Sequence, residues 1–364
     1  MFWGALALIA LLWFATDAGV VQVSGFFALR DSMIQLSGLL AMTCMSIAMI
    51  LALRPHWPER WMGGLDKMYR LHKWLGIGGL VLAIVHWLWA QGPKWAVGLG
   101  WLARPEHGAP SATVGSIEST LQSLRNPAEG LGEWAFYLAV VLIAVALIQR
   151  ISYRIFYKVH RLLAVAYLVL AFHAVVLMRY DAWVSMLGIV MAILLAYGTW
   201  AAVVVLARRV GARRKVNGTI TRLRYLQELR VLEGGIDIPQ GWPGHKPGQF
   251  AFVRTQDAED AHPFTIASAW NPSEHRLDFV TKALGDYTRR LPDVLRVGQP
   301  VKVEGPYGCF TFDDEQTCQI WVGGGIGITP FLARMQQLAM DRQAYPSRPL
   351  VQAIDLFHST ADWS

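Results

Sequence analysis

The sequence is poor in cysteine and in charge. Its three cysteines, Cys44, Cys309 and Cys318, are spaced for neither a disulfide framework nor a cysteine metal site, and they read as packing residues. Charged side chains make up 16% of the 364 residues, against 54% hydrophobic. That balance implies a membrane component beside a soluble one. The first apolar run, Phe2–Ala15, lacks a leading basic stretch and a clear small-residue cleavage site, so it reads as a short first span rather than a cleaved signal. A net charge of +7 would suggest nucleic acid in a soluble protein. Here much of the basic charge lies beside apolar spans, where it sets topology, and no nucleic-acid partner is expected.

Long apolar runs are what the chain does have. Six spans are predicted: Phe2–Thr16, Met33–Leu53, Leu71–Ala90, Gly132–Ile148, Val159–Met178 and Val184–Leu206. The loops after the second and fourth spans, and the segment after the sixth, hold 14 basic residues, among them Arg54, Lys67, Arg154, Lys158, Arg208 and Arg213, against five on the opposite side. The positive-inside rule then puts the N-terminus and the soluble half in the cytoplasm of a cell inner (plasma) membrane protein. Loop Gln91–Gly130 faces outward, and its Gly, Pro and Ser content predicts little regular structure.

Two spans carry two histidines each, an expensive placement that marks function. His72 and His86 lie near the ends of the third span, and His160 and His173 lie in the fifth. Both spans run outward, so depth pairs His72 with His160 and, about 20 Å further out, His86 with His173. Each pair suits one haem iron between two neutral imidazoles, and two stacked haems would form an electron path across the bilayer. Fourteen residues at about 100° each return His86 to within ~40° of His72, but thirteen leave His173 ~140° from His160 on a straight helix. The fifth span therefore needs a kink, a local π-turn or a different approach angle. Arg30, beside Asp31 at the outer entrance of the second span, is positioned to pair with an outer haem propionate, to bind a polar oxidant, or simply to snorkel. Tyr167, midway between His160 and His173, sits between the haems or packs.

The soluble half reads as short strands separated by Gly and Pro turns: Gly218–Arg224, Leu229–Glu233, Gln249–Thr255, Pro263–Ala269, Arg276–Lys282 and Pro300–Glu304. The spacing predicts a small antiparallel barrel. Lys282-Ala283-Leu284-Gly285-Asp286-Tyr287-Thr288 leads into a predicted helix, Asp286–Leu295, whose start suits a pyrophosphate. An apolar strand then ends in Gly323-Gly324-Gly325-Ile326-Gly327-Ile328-Thr329-Pro330 and feeds a helix to about Met340. This is not a strict G-x-G-x-x-G fingerprint, yet glycines at a helix start admit phosphate oxygens closely. A second strand, Leu350–Phe357, follows.

The paired histidines, with PGQF at 247–250, HPFTIAS at 262–268, KALGDYT at 282–288, EGPYG at 304–308 and GGGIGITPF at 323–331, resemble the ferric reductase and NADPH oxidase superfamily, including its bacterial members. The resemblance implies a six-helix transmembrane haem bundle over 1–210, an FAD-binding antiparallel β-barrel over 211–316, and part of an α/β NAD(P)-binding domain over 317–364. It implies two haem b groups on His72, His86, His160 and His173. FAD would lie against His262, Pro263, Phe264 and Thr265, with Thr265 near the isoalloxazine. Gly285, Asp286, Tyr287 and Thr288 would hold its pyrophosphate. Gly323, Gly324, Gly325, Gly327, Thr329 and Pro330 would receive NAD(P)H. Electrons would pass to an external acceptor, oxygen or ferric iron. In the family the nucleotide half runs on past the second strand, so either further chain or a protein partner is expected to complete the site. A partner-dependent relay that does not itself oxidise NAD(P)H is the alternative implied.

Overall fold

Runs of Leu, Ile, Val and Ala without nearby charge leave a chain no way to satisfy its backbone in lipid except as helices. In the computed structural model, which describes residues 2–16, 25–103, 116–148, 150–151, 153–255, 261–313, 316, 318–346 and 353–360, those runs are helical. The helices are α1 (Phe2–Thr16), α2 (Phe26–Ala52), α3 (His56–Met62), α4 (Leu65–Gly98), α5 (Ser116–Ser123), α6 (Arg125–Leu147), α7 (Tyr153–Arg161), α8 (Leu163–Leu177), α9 (Tyr180–Trp183) and α10 (Met186–Leu206). The chain divides into two compact units, Met1–Pro55 with Asp66–Val210, and His56–Leu65 with Gly211–Ser364.

Among the described residues of the helical unit, 5 stretches are long and apolar enough to cross a bilayer: Phe26–Ala52, Leu65–Gly98, Arg125–Leu147, Ile155–Leu177 and Met186–Leu206. The first of the six predicted spans, α1, is apolar but only 15 residues long. Large apolar side chains such as Leu11, Trp134 and Val141 stand exposed, in numbers that only a lipid surface accommodates. The core is built by α1, α2, α8 and α10 around Ile9, Trp13, Leu39, Met42, Tyr167, Leu187 and Met191. Tyr167 is therefore a packing residue; its hydroxyl lies 2.9 Å from Ser46 Oγ, and a Cβ at Gly198 would overlap it.

Three expectations change. The third span extends from Leu65 to Gly98, through Pro93. Loop Gln91–Gly130 is partly helical, in the end of α4, in α5 and in the start of α6, while residues 104–115 lie outside the described residues. The fifth span is two helices that meet at Leu162. There the Leu162 N–H bonds to the Val159 carbonyl and the Val165 N–H to that of Leu162, a tightened turn of three-residue bonds. This tightened turn is the irregularity that lies between His160 and His173.

The second unit holds a six-stranded sheet in the order β4-β3-β6-β1-β2-β5. Its strands are β1 (Lys215–Leu226), β2 (Val231–Asp237), β3 (Phe250–Thr255), β4 (His262–Thr265), β5 (Arg276–Lys282) and β6 (Pro300–Tyr307), each neighbouring pair antiparallel. An isolated bridge between Ile266, just past β4, and Phe279 of β5 brings the two edges together. Inward residues Ile220, Ile236, Val253, Ile266, Leu277, Phe279 and Val303 form the core. Helix α11 (Asp286–Val294) follows β5. Beyond the sheet, β7 (Cys318–Gly324), a 3-10 turn at Gly325–Ile328, α12 (Thr329–Ala344) and β8 (Ala353–Ser359) make one β-α-β unit with a parallel strand pair. Residues 350–352 of the predicted second strand lie outside the described residues. Helix α3 belongs to this unit: the Glu59 carboxylate, 2% exposed, accepts the Gly308 N–H at 2.7 Å.

Candidate functional site

The structure brings the four span histidines together as two facing pairs. His72 on α4 and His160 on α7 have ring centroids 5.9 Å apart and planes at 62°. His86 on α4 and His173 on α8 stand 6.2 Å apart, with planes at 83°. The break at Leu162 separates His160 from His173 and lets both rings meet α4.

Backbone carbonyls orient three of these rings. His72 Nδ1 donates to Ala48 O at 2.9 Å, His86 Nδ1 to Ile34 O at 2.9 Å, and His173 Nδ1 to Ala128 O at 2.8 Å. A carbonyl can only accept, so Nδ1 carries the proton in each ring and Nε2 keeps its lone pair. Ile34 and Ala48 are fourteen residues apart on α2, the interval between His86 and His72 on α4. The antiparallel helices thus meet in register through imidazoles, with Gly79 of α4 lying against Cys44 and Met45 of α2 between them. His160 differs: its ring stacks on Phe156, centroids 4.9 Å apart, and its buried Nδ1 has no partner among the described residues. Arg30 bonds Asp31 at 2.9 Å and the Ala90 carbonyl, one turn beyond His86, at 3.4 Å, while its Nε is buried and unpaired among the described residues.

In the second unit, His262, Pro263, Phe264 and Thr265 form β4, with Thr265 opposite Phe250 of β3. The His262 ring stacks on Tyr287 at 3.5 Å between centroids, and Phe264 lies beside Tyr287 at 6.5 Å. Burial raises the Tyr287 phenol above its usual pKa, with the neighbouring Thr255 hydroxyl acting in the opposite direction. Gly285 starts α11, and the N–H groups of Leu284 and Gly285 donate to Thr288 Oγ1 at 3.0 and 3.1 Å. Thr288 thus caps the helix itself and occupies two of the N–H groups at its start. The cavity inside the sheet, lined by Thr255, Phe264, Thr281 and Tyr287 among others, is about 50 Å³, far below the roughly 300 Å³ of a small cofactor pocket.

Two family models match the chain: "Ferric reductase like transmembrane component" over residues 37–171 and "FAD-binding domain" over residues 225–311. The chain thus carries a ferric reductase-like transmembrane component followed by an FAD-binding domain. Its membrane part is multi-pass. It is 26% identical over 221 residues to respiratory burst oxidase homolog protein E of Arabidopsis thaliana, covering 51% of this chain and 22% of that one. It is 35% identical over 108 residues to ferric reduction oxidase 5 of the same plant, covering 28% and 15%. It is also 27% identical over 139 residues to the reductase component of propane 2-monooxygenase from Mycolicibacterium smegmatis, covering 37% and 38%. The chain thus spans well under half the length of these relatives.

The Gly-rich turn after β7 is built on bare backbone. Gly325 has φ +52°, and side chains at Gly324, Gly325 and Gly327 would meet open space. Thr329, 1% exposed, bonds the Ile326 carbonyl at 2.6 Å at the start of α12, next to Pro330. A Cβ on Gly323 would press on the Ile328 backbone at 3.2 Å, so this glycine serves packing. His358 on β8 holds the turn through a bond from Nε2 to the Gly325 carbonyl at 2.9 Å. Sequence reasoning missed His358, and it missed Ile34, Ala48 and Ala128, whose apolar names hide the carbonyls they supply.

Proposed function

We propose that the protein carries electrons from NAD(P)H, through FAD and two haem b groups, to oxygen or ferric iron on the far side of the plasma membrane. The observation that carries this reading is the pair of facing imidazole couples at two depths of one helix. With a nitrogen–metal bond of about 2 Å and ring nitrogens roughly 1 Å from the ring centre, two imidazoles sharing one ion have centroids about 6 Å apart. The observed 5.9 and 6.2 Å fit. Among the described residues no three His, Cys, Asp or Glu gather as a metal site. The donor set is two imidazoles per pair, as an axially held haem requires.

His72 and His160 would hold the inner haem, and His86 and His173 the outer one. The carbonyls of Ala48, Ile34 and Ala128 keep the Nε2 atoms turned inward. Arg30, with its unpaired Nε, offers a cation to an outer propionate or to a polar oxidant. We assign His262 to Thr265 to the flavin ring, with Thr265 nearest the reacting edge, Gly285 to Thr288 to the pyrophosphate, and Gly323 to Pro330 to the nicotinamide nucleotide. The bound groups supply hydride acceptance at the flavin and one-electron carriage at the haems. The sheet closes as a barrel at the Ile266–Phe279 bridge. The N-terminus and the flavin unit lie on the cytoplasmic side, where the basic loops are.

A second reading is favoured by one feature. On β7, Ile320 and Val322 stand 71% and 70% exposed on the face away from α12. A protein partner, or further chain, that covers this face would complete the nucleotide site, and the chain by itself would then act as a relay. Purified protein loaded with haem and FAD separates the two by stopped-flow mixing with NADH or NADPH. Flavin bleaching within the turnover time supports the first reading. No bleaching, with haem still reducible by dithionite, supports the relay. A colourless preparation that takes up no haem overturns both.

A further inference from the structure

The two rings of the outer pair lie against helix backbone in the same way. His86 donates to the carbonyl of Ile34 on α2, and four residues on is Gly38. His173 donates to the carbonyl of Ala128 on α6, and four residues on is Gly132. In an α-helix the carbonyl of residue i points toward residue i+4, so a ring donating to that carbonyl from the side covers the Cα one turn on. A Cβ on Gly132 would overlap His173 Nδ1 and stand 2.6 Å from its Cγ and Cε1. A Cβ on Gly38 would come to 3.1 Å from His86 Nδ1 and Cε1. The inner pair lacks this arrangement: Ala52, not glycine, follows Ala48 by four residues, and His160 has no carbonyl partner among the described residues.

We propose that Gly132 and Gly38 are positioning residues for the outer histidine pair, each baring one turn of helix so that its imidazole lies against the backbone in a fixed plane. They act through His173 and His86 and set the 83° between the two rings. The glycines are graded. At Gly132 any side chain must expel the ring, whereas at Gly38 a methyl group needs only a few tenths of an ångström of adjustment. Gly130, two residues earlier on α6, meets nothing within 4 Å and serves as an internal control.

The proposal rests on the reading of the histidine pairs as haem ligands. It is tested by low-temperature EPR and haem content of the full chain, purified with haem and FAD. In low-spin ferric haem the angle between two imidazole planes sets the anisotropy of the signal, and the outer signal is the one lost in His86→Ala. Gly132→Ala is expected to lose that signal, with haem falling from two to one per chain, while the inner signal and FAD content stay unchanged. Gly38→Ala is expected to keep both haems and shift the outer signal. Gly130→Ala is expected to change nothing. Wild-type protein without two low-spin signals refutes the ligand reading itself. Two signals in the wild type, with the outer one unmoved in folded Gly38→Ala, overturn the proposal for the glycines, as does an equal change in Gly130→Ala. Should Gly132→Ala not fold, Gly38→Ala decides.

Discussion

A neutral histidine in the flavin unit shows how a single side chain sets a pH response. His245 Nε2 donates to the Ser268 carbonyl at 2.9 Å, and its Nδ1 accepts the Trp242 indole N–H at 3.3 Å. Only the neutral ring makes both bonds at once, because a protonated Nδ1 cannot accept from Trp242. Burial lowers the pKa of His245 below 6.5, more than the Ser268 bond raises it. As pH falls below about 6.5 the unfolded chain takes up a proton that the folded one refuses, so stability declines, by up to ~1.4 kcal/mol per pH unit. Thermal release of FAD fluorescence from the full chain should move to lower temperature below that pH. His245→Gln, whose amide can make both bonds without titrating, should flatten the slope. None of this was legible in the sequence, where His245 is one histidine in a Pro/Gly-rich loop; its role depends on Trp242 and on Ser268, which lies 23 residues on.

Among elements, the spans were legible and their ends were not. Apolar runs longer than a bilayer is thick declare themselves, and the histidine spacing called for a kink, a local π-turn or a different approach angle in the fifth span. The tightened turn at Leu162 was hidden because no Pro or Gly marks it. Helix α3 was hidden more deeply. Its seven residues lie between two spans, yet they pack with the flavin unit through Glu59. A buried carboxylate on a backbone N–H is a charge-assisted bond, and Glu59→Ala leaves the Gly308 donor unpaired, which should cost about 1.5–3 kcal/mol. The expected result is a lower melting temperature read by FAD release, with the haem Soret band unaffected at temperatures below it. Glu59→Gln, which can still accept from Gly308, should recover part of the loss.

For the molecule as a whole, the proposed route is a series of carriers, so cutting it at different points should leave different remnants. His173→Ala removes an outer ligand. Reduction of the flavin, and of the haem held by His72 and His160, should persist in that variant, while reduction of an external ferric chelate or of oxygen by proteoliposomes should drop at least tenfold. Equal loss at every step would show that the carriers are not in series. Chain length carries a constraint of its own here. The carbonyls of Ile34 and Ala48 on α2 face His86 and His72 on α4 across the same interval of fourteen residues. One residue inserted into either helix between those points would turn one contact by about 100° and slide it by about 1.5 Å relative to the other. A matched insertion in both helices would equalise the rise but still turn both partners off the facing side, so homologues that keep both contacts should vary in the loops while holding this interval constant.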